Sequence, residues 1–180
     1  MPFQITSAFT CYLMPGDGPV AEQQLLQHMN DPGETYIIAY AFTLTPMINE
    51  IMAAHQRGVP IHIYLDSSQL TDPEEEPLVK QLAAAGVEVT IGTSPEGSQY
   101  ICHTKGLVSS TDPVWCWEGS TNFSDDAWHQ VNTAMCFSSQ EWHDEFVGQF
   151  IALRQFAWSN ERSLQVMAAP PPGVAAGQTS

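Results

Sequence analysis

Tyr36-Ile37-Ile38-Ala39-Tyr40-Ala41-Phe42, then Thr45-Pro46 and a helical run, then Val59-Pro60-Ile61-His62-Ile63-Tyr64-Leu65: the fold turns on this stretch. The first seven residues are a nearly continuous apolar run with β-formers, which predicts a buried strand. Thr45 can cap a helix with Pro46 at its first position, where a missing N–H costs nothing. Met47, Ile48, Ile51 and Met52 give that helix an apolar face, and it ends near Arg57-Gly58. Val59 to Leu65 reads as a second buried strand, closed by Asp66-Ser67-Ser68. Asp72-Pro73-Glu74-Glu75-Glu76 then starts another helix, its acids in the first turn, where the macrodipole favours them and solvent is expected to cover them. The helix runs through Leu78, Leu82 and Ala85 to Gly86, and Val87 to Ile91 is a third strand. Strand, helix, strand, helix, strand in close succession implies βαβ units, an α/β fold and a mainly parallel sheet.

Outward from this centre, residues 5–13 read as a strand ended by Pro15-Gly16-Asp17-Gly18, and Val20 to Met29 has helical spacing. Beyond a Gly/Ser/Pro loop at 92–98, Tyr100 to Ser109 and Val114 to Glu118 read as two strands joined by residues 110–113, and Val131 to Phe137 as one more. Helical spacing resumes from about Glu141 to Trp158. The expected organisation is one domain over residues 1–162 and a disordered Pro/Gly/Ala tail over 163–180. No internal repeat is visible.

The chain has 180 residues, enough to bury about two thirds of its unfolded surface without disulfides. Five Lys and Arg face 20 Asp and Glu, a formal charge of -15. That argues against a general basic groove for nucleic acid and against attachment to anionic lipid by a polybasic patch. Cys11, Cys102, Cys116 and Cys136 form no CxxC pair, so reduced thiols are expected, not a disulfide framework or zinc ribbon. The start, Met1-Pro2-Phe3-Gln4-Ile5, has neither a basic nor a long apolar region, and no apolar run is long enough to span a bilayer. No stable membrane insertion and a cytoplasmic setting are expected, or a periplasmic one had a leader been removed.

His103 and Lys105, at i and i+2 in a predicted strand, put an imidazole and an ammonium on one face. Gly119-Ser120-Thr121-Asn122 ends the next strand ahead of a predicted helix start at Ser124. Gly119 permits close backbone approach, Ser120 and Asn122 supply a hydroxyl and an amide, and the helix would offer free N–H groups, the parts of an anion site. The chemistry suggested is phosphoryl transfer. Lys105 neutralises one phosphate oxygen, Ser120 and Asn122 donate to the others, and His103 attacks phosphorus to give a phosphohistidine. A cation beside the imidazole would repel a divalent metal, so neither metal nor cofactor is expected.

His103-Thr104-Lys105 followed by Gly119-Ser120-Thr121-Asn122-Phe123 resembles the HKD motif of the phospholipase D superfamily. The resemblance extends to Ile38–Thr43, Ala53–Val59, Ile63–Asp66 and Leu82–Val87, and covers about residues 5–158. The nearest type is the small bacterial Nuc-like endonucleases, with a single HKD motif per chain. The resemblance implies a phospholipase D-like α/β/α sandwich around a mixed, largely parallel sheet, and a metal-independent phosphodiesterase working through a phosphohistidine. That mechanism uses two histidines, one nucleophile and one general acid. With one His-x-Lys per chain, a homodimer with a composite site across its twofold axis is expected.

The sequence departs from the family at two places. The motif's Asp is replaced by Ser110, with Asp112 as a displaced equivalent, and the Glu expected beside Asn132 is missing. Glu118 either replaces it in orienting His103 or is a cross-strand partner. Tyr40, Phe42, Trp117 and Trp128 are expected to rim the site with Gly119. Trp115 and Trp117 form either a platform for bases or lipid, or a packing pair.

Three functions remain open: a nuclease acting on single strands, a lipid or small-molecule phosphodiesterase or phosphatidyl transferase, and a catalytically weak phosphate-binding module. Outside the motif only Arg57, Lys80, Arg154 and Arg162 could contact a phosphate backbone.

Overall fold

From Thr35 to Gly92 the chain alternates strand and helix as expected. The computed structural model describes residues 3–6, 9–97 and 99–159. The predicted tail and Arg162 lie outside the described residues. The strands are β1 Phe3–Thr6, β2 Phe9–Leu13, β3 Thr35–Ala39, β4 Ile61–Asp66, β5 Glu88–Gly92, β6 Lys105–Ser109, β7 Trp115–Gly119 and β8 Thr133–Phe137. The helices are α1 Gly18–Asn30, α2 Thr45–Gln56, α3 Glu75–Ala84 and α4 Gln140–Ser159. Ser67–Thr71 and Asp125–His129 are short 3₁₀ turns. Among the described residues, no helix is long and apolar enough to cross a membrane.

The strands form one mixed sheet in the order β1-β2-β8-β7-β6-β3-β4-β5. Its parallel part is smaller than the sequence suggests. Only β3-β4 and β4-β5 pair in parallel, and every other junction is antiparallel. The reason is connection length: helices α2 and α3 carry the chain back for parallel re-entry, whereas residues 110–114 can only turn a hairpin between β6 and β7.

Alternation along the strands assigns the two faces. Ile37, Ile63, Leu65, Leu107 and Trp117 pack with Leu25, Met29, Ile48, Ile51 and Leu82, so α1, α2 and α3 cover one face. Ile38, Tyr64, Val108 and Cys116 pack with Phe146, Phe150 and Leu153 of α4 on the other. The result is the α/β/α sandwich that the resemblance implies.

Several elements differ from expectation. Residues 5–13, read as one strand, hold the end of β1 and all of β2, which pair antiparallel with each other, and β3 ends at Ala39, short of Phe42. Thr45 opens α2 instead of capping it; the cap is Leu44, whose N–H, with that of Thr43, donates to Phe123 O. The strand expected from Tyr100 starts only at Lys105, because the preceding amides are used elsewhere: Tyr100 N donates to Gly97 O in a turn and Cys102 N to the Asp66 side chain. His103 therefore stands just outside the strand. The helix expected after Ser124 is a single 3₁₀ turn of five residues. Asn132 Nδ2 takes the carbonyl of Ala127, and Gln130 is already extended, which closes the segment before an α-helix can form.

Candidate active site

Register brings the predicted residues to one end of the sheet. β6 and β7 are antiparallel with Gly106 opposite Glu118, so the ladder continues with Lys105 beside Gly119. On its other side, Lys105 is paired with Ala39, and Tyr40 follows directly. The same end carries Asp66, the last residue of β4, since Ala39 is level with Leu65.

Lys105 is 3% exposed. Its Nζ donates to His103 O at 2.5 Å and lies 5.1 Å from the centre of the Tyr40 ring. Burial pulls its pKa down to about 8, with Glu118 among the groups opposing the fall. The ring of His103 is exposed and meets Tyr40 edge-on, with centroids 4.8 Å apart. Desolvation first, and the Lys105 ammonium second, hold the imidazole below its usual value, while the Asp66 carboxylate pulls the other way. An imidazole with this bias is neutral, and hence nucleophilic, near pH 7.

Ser120 is anchored on β8. Its N–H donates to Thr133 O, while its Oγ accepts from Thr133 N at 3.0 Å and donates to Asn132 Oδ1 at 3.1 Å. Gly119 is required there, since a Cβ would come 2.2 Å from Thr133 O. Asn122 follows at i+2, half-buried, with Oδ1 sealed from solvent and without a partner. Unpartnered buried polar atoms are rare. The turn of Ser124–His129 contributes no helix N-terminus, so the anion site is narrower than expected: ammonium, hydroxyl, amide and loop backbone.

Several predicted rim residues lie elsewhere. Trp117 is wholly buried, stacked on Tyr12 at 5.7 Å and edge-on to Trp128 at 6.2 Å. Phe42 is 1% exposed against Phe123, and Trp128 is 2% exposed. These three are core residues: Phe42 is turned inward where its loop is bridged to that of Phe123, Trp117 points from β7 to the face covered by α1, α2 and α3, and Trp128 packs against it there. Trp115 and Trp117 are therefore a packing pair. Tyr40 alone of the expected aromatic rim meets His103.

Glu118 points to the α4 face, where its Oε2 occupies the space a Cβ on Gly106 would need. Burial raises its pKa, against the backbone N–H of Gly119 and Lys105. It is a cross-strand neighbour acting on Lys105, and no hydrogen bond joins it to His103 among the described residues. Ser110 sits at the far end of β6, sharing a hydrogen bond of 3.0 Å with His143 Nε2. Asp112 is in the same remote hairpin. Five residues of strand span about 17 Å, so neither position could reach the imidazole.

Two carboxylates at the site end carry no assigned role in the sequence reading. Asp66 is fully buried and accepts from Cys102 N, the amide next to His103. An acid closing an apolar strand level with Ala39-Tyr40 is the signal that marks it. Glu75 belongs to the cluster expected to be solvated, yet is 1% exposed. Its Oε2 accepts from Phe42 N at 2.9 Å, its Oε1 has no partner, and burial raises its pKa to about 7. Helix periodicity cannot show that a first-turn acid lies under a neighbouring loop. A cleft of about 600 Å³ opens beside it, bordered by Thr43, Asp72, Glu74, Asp125 and Asp126. No three of the described His, Cys, Asp and Glu side chains gather as a metal-ligand set. Of the remaining cations, Arg57 is bonded to Asn30 O, Lys80 to Glu76 and Arg154 to Glu88.

A family model described as the PLD-like domain of cardiolipin synthase matches residues 25–154. No curated protein matches the chain. Among solved structures, Nuc from Salmonella typhimurium, a phospholipase D family member, is similar at a TM-score of 0.69 and 20% identity, over 88% of this chain and 98% of that one. NucT from Helicobacter pylori gives 0.73 and 15%, over 82% and 95%. Phosphatidylserine synthase from Haemophilus influenzae gives 0.56 and 12%, over 82% of this chain and 40% of its own. At these identities the likeness is one of fold.

Proposed function

The chain belongs to the phospholipase D-like family, and from that premise we propose that it is a phosphodiesterase in which His103 is the nucleophile. The observation that carries the reading is the buried Lys105 ammonium beside His103, at the sheet end that also holds Ser120 and Asn122. In the first step an imidazole nitrogen of His103 bonds to phosphorus, and the bond from phosphorus to the leaving oxygen breaks. The leaving oxygen takes a proton from His103 of the partner subunit. In the second step water gives that proton back, its oxygen attacks phosphorus, and the N–P bond breaks to release a phosphomonoester. Lys105 offsets the charge that builds on the phosphoryl oxygens, with the Asn122 amide as a further donor and the Ser120 hydroxyl as another once it turns from Asn132 Oδ1 to the substrate. No metal or cofactor has a part in these steps.

A homodimer supplies the second histidine. Tyr100, Ile101 and Val131 support it: they are 55%, 44% and 92% exposed, and each lies within three residues of His103 or Asn132. An apolar fringe around a polar site suits a face covered by a second copy.

For the substrate, cleavage of single-stranded nucleic acid is the first reading, on the resemblance to Nuc-like enzymes. A small or zwitterionic diester is the second, favoured by a specific observation. The three described cations outside the motif are all bonded to groups of this chain, while carboxylates border the cleft beside Glu75. Long polyanions need several free cations.

The test is hydrolysis of a chromogenic phosphodiester in excess chelator by wild type and His103→Ala. The wild type is expected to turn over and the variant to lose activity on the order of a thousandfold. Activity retained by the variant would overturn the reading. Single-stranded DNA and phosphatidylcholine as alternative substrates then separate the two readings, and a monomeric mass in solution would contradict the shared site.

A further inference from the structure

Asp66 ends β4 with its side chain wholly buried. Both of its oxygens are engaged. Oδ1 accepts from Ser68 N at 2.9 Å and from Ser68 Oγ at 2.6 Å, and Oδ2 accepts from Cys102 N at 2.5 Å. Among the described residues no cation pairs with it. A buried carboxylate held by N–H and O–H donors alone, without a counter-ion, is costly to keep in a core and leaves its charge unneutralised. An apolar residue would serve the packing of this strand end better. The charge, together with its place, calls for an explanation.

Its place is against the segment that carries His103. The bond at Oδ2 reaches the amide one residue before His103, in a segment where residues 101–104 form no strand. Asp66 is thus the fastening that ties the His103 segment to the parallel half of the sheet. We propose that Asp66 is the positioning carboxylate of the His103 site, fixing through Cys102 N–H the backbone that presents the ring and holding negative charge near it. This rests on the phosphohistidine reading for its catalytic consequence. When an imidazole nitrogen bonds to phosphorus the ring becomes cationic, and a fixed negative charge nearby favours that state. Asp66 moves no proton and touches no reacting atom.

Two other carboxylates at this end do not fill the role. Glu118 lies across β6 over Gly106 and acts on Lys105. Glu75 is engaged with Phe42 N. The charged and titratable groups facing His103 are Lys105 from its own segment, Tyr40 from the loop after β3, and Asp66 from β4. Lys105 and Asp66 oppose each other in their effect on the ring, so removing the charge at 66 should leave the ammonium unopposed.

The experiment is an NMR titration of the His103 ring in the full chain, wild type against Asp66→Asn, with the resonance assigned by its loss in His103→Ala. Asparagine keeps an acceptor for Ser68 but removes the charge. The expected result is a fall in the His103 pKa of about half a unit or more, with the other five of the six histidines unmoved. On a chromogenic diester, kcat should fall on the order of tenfold at little change in KM. An unmoved His103 titration in a folded Asp66→Asn protein overturns the proposal. Should that variant not fold, amide exchange in the wild type decides. Cys102 N–H is expected to be the slowest of residues 99–104, and exchange as fast as at Ile101 overturns the proposal. Neither readout needs turnover, so an inactive wild type would refute the phosphodiesterase reading without touching this one.

Discussion

At the Lys105 end of β6 the ionisable side chains are buried without counter-ions among the described residues, whereas at the Ser110 end they form ion pairs. Lys105, Asp66 and Glu75 are all but sealed from water, and among the described residues no ion pair joins any of them. At the far end Glu88 binds both His62 and Arg154, and Ser110 and Asp144 share the two ring nitrogens of His143. One end stores unneutralised charge and the other is closed by local pairs. A fold tolerates buried charge without counter-ions only at a cost, so the contrast singles out the end to which the proposed chemistry is assigned. It also locates the departures from the family pattern. Ser110 and Asp112, where the motif's Asp is missed, lie at the matched end, about 17 Å of strand from the imidazole. That departure therefore sits in a hairpin remote from the proposed nucleophile.

The largest expected effect breaks the contrast from the site end. Lys105→Ala should lower kcat/KM for a diester by a hundredfold to a thousandfold, on the order of the loss of one donor to a developing oxyanion, with thermal stability little reduced. The pH profile carries the same signature. Lys105 titrates near pH 8 in the free protein, so kcat/KM should fall as pH rises through that value and the ammonium is lost.

At the matched end, Trp115→Ala should act on stability alone. Trp115 stacks on His28 at 4.1 Å, donates to Cys136 Sγ and borders a cavity of about 500 Å³. Its truncation should cost roughly 3 kcal/mol in chemical denaturation and leave KM unchanged. A change in KM would mean that this cavity communicates with the site.

Glu75 gives the next smaller effect. Its pKa is raised to about 7 in the folded chain from an ordinary value of 4.5, so between those limits the folded state holds the extra proton. The stability it contributes is complete below the unfolded value and is lost as pH rises through the folded one. Tm should therefore decline from pH 5 to pH 8, and Glu75→Gln should flatten that decline by about 1–3 kcal/mol. The smallest effect is Ser110→Asp, which restores the family residue. Steady-state rates should stay within about twofold of wild type, since an exposed charge this far away is screened.

The central βαβαβ run was legible because continuous apolar strands and amphipathic helices have different periods; Tyr36–Phe42 and Val59–Leu65 show theirs, although the strands formed are Thr35–Ala39 and Ile61–Asp66. His103, Lys105, Ser120 and Asn122 were legible as a motif, and register then brings them to one sheet end. What sequence could not show is which aromatic rings turn inward. Trp117 and Trp128 have the same spacing whether they line a cleft or fill a core, and only their packing on Tyr12 and on each other under the helices decides it. Asp66 was read as punctuation after a strand for a similar reason: its partner, Cys102, is 36 residues away. Long-range partners of short polar side chains leave no period to detect.

The central claim is that the diester passes through a covalent intermediate on His103, and the stereochemical course at phosphorus tests it most directly. With a diester made chiral by sulfur and oxygen isotopes, two successive in-line displacements return phosphorus to its starting configuration. Net retention is the predicted result. Net inversion, the mark of a single direct attack by water, would contradict it.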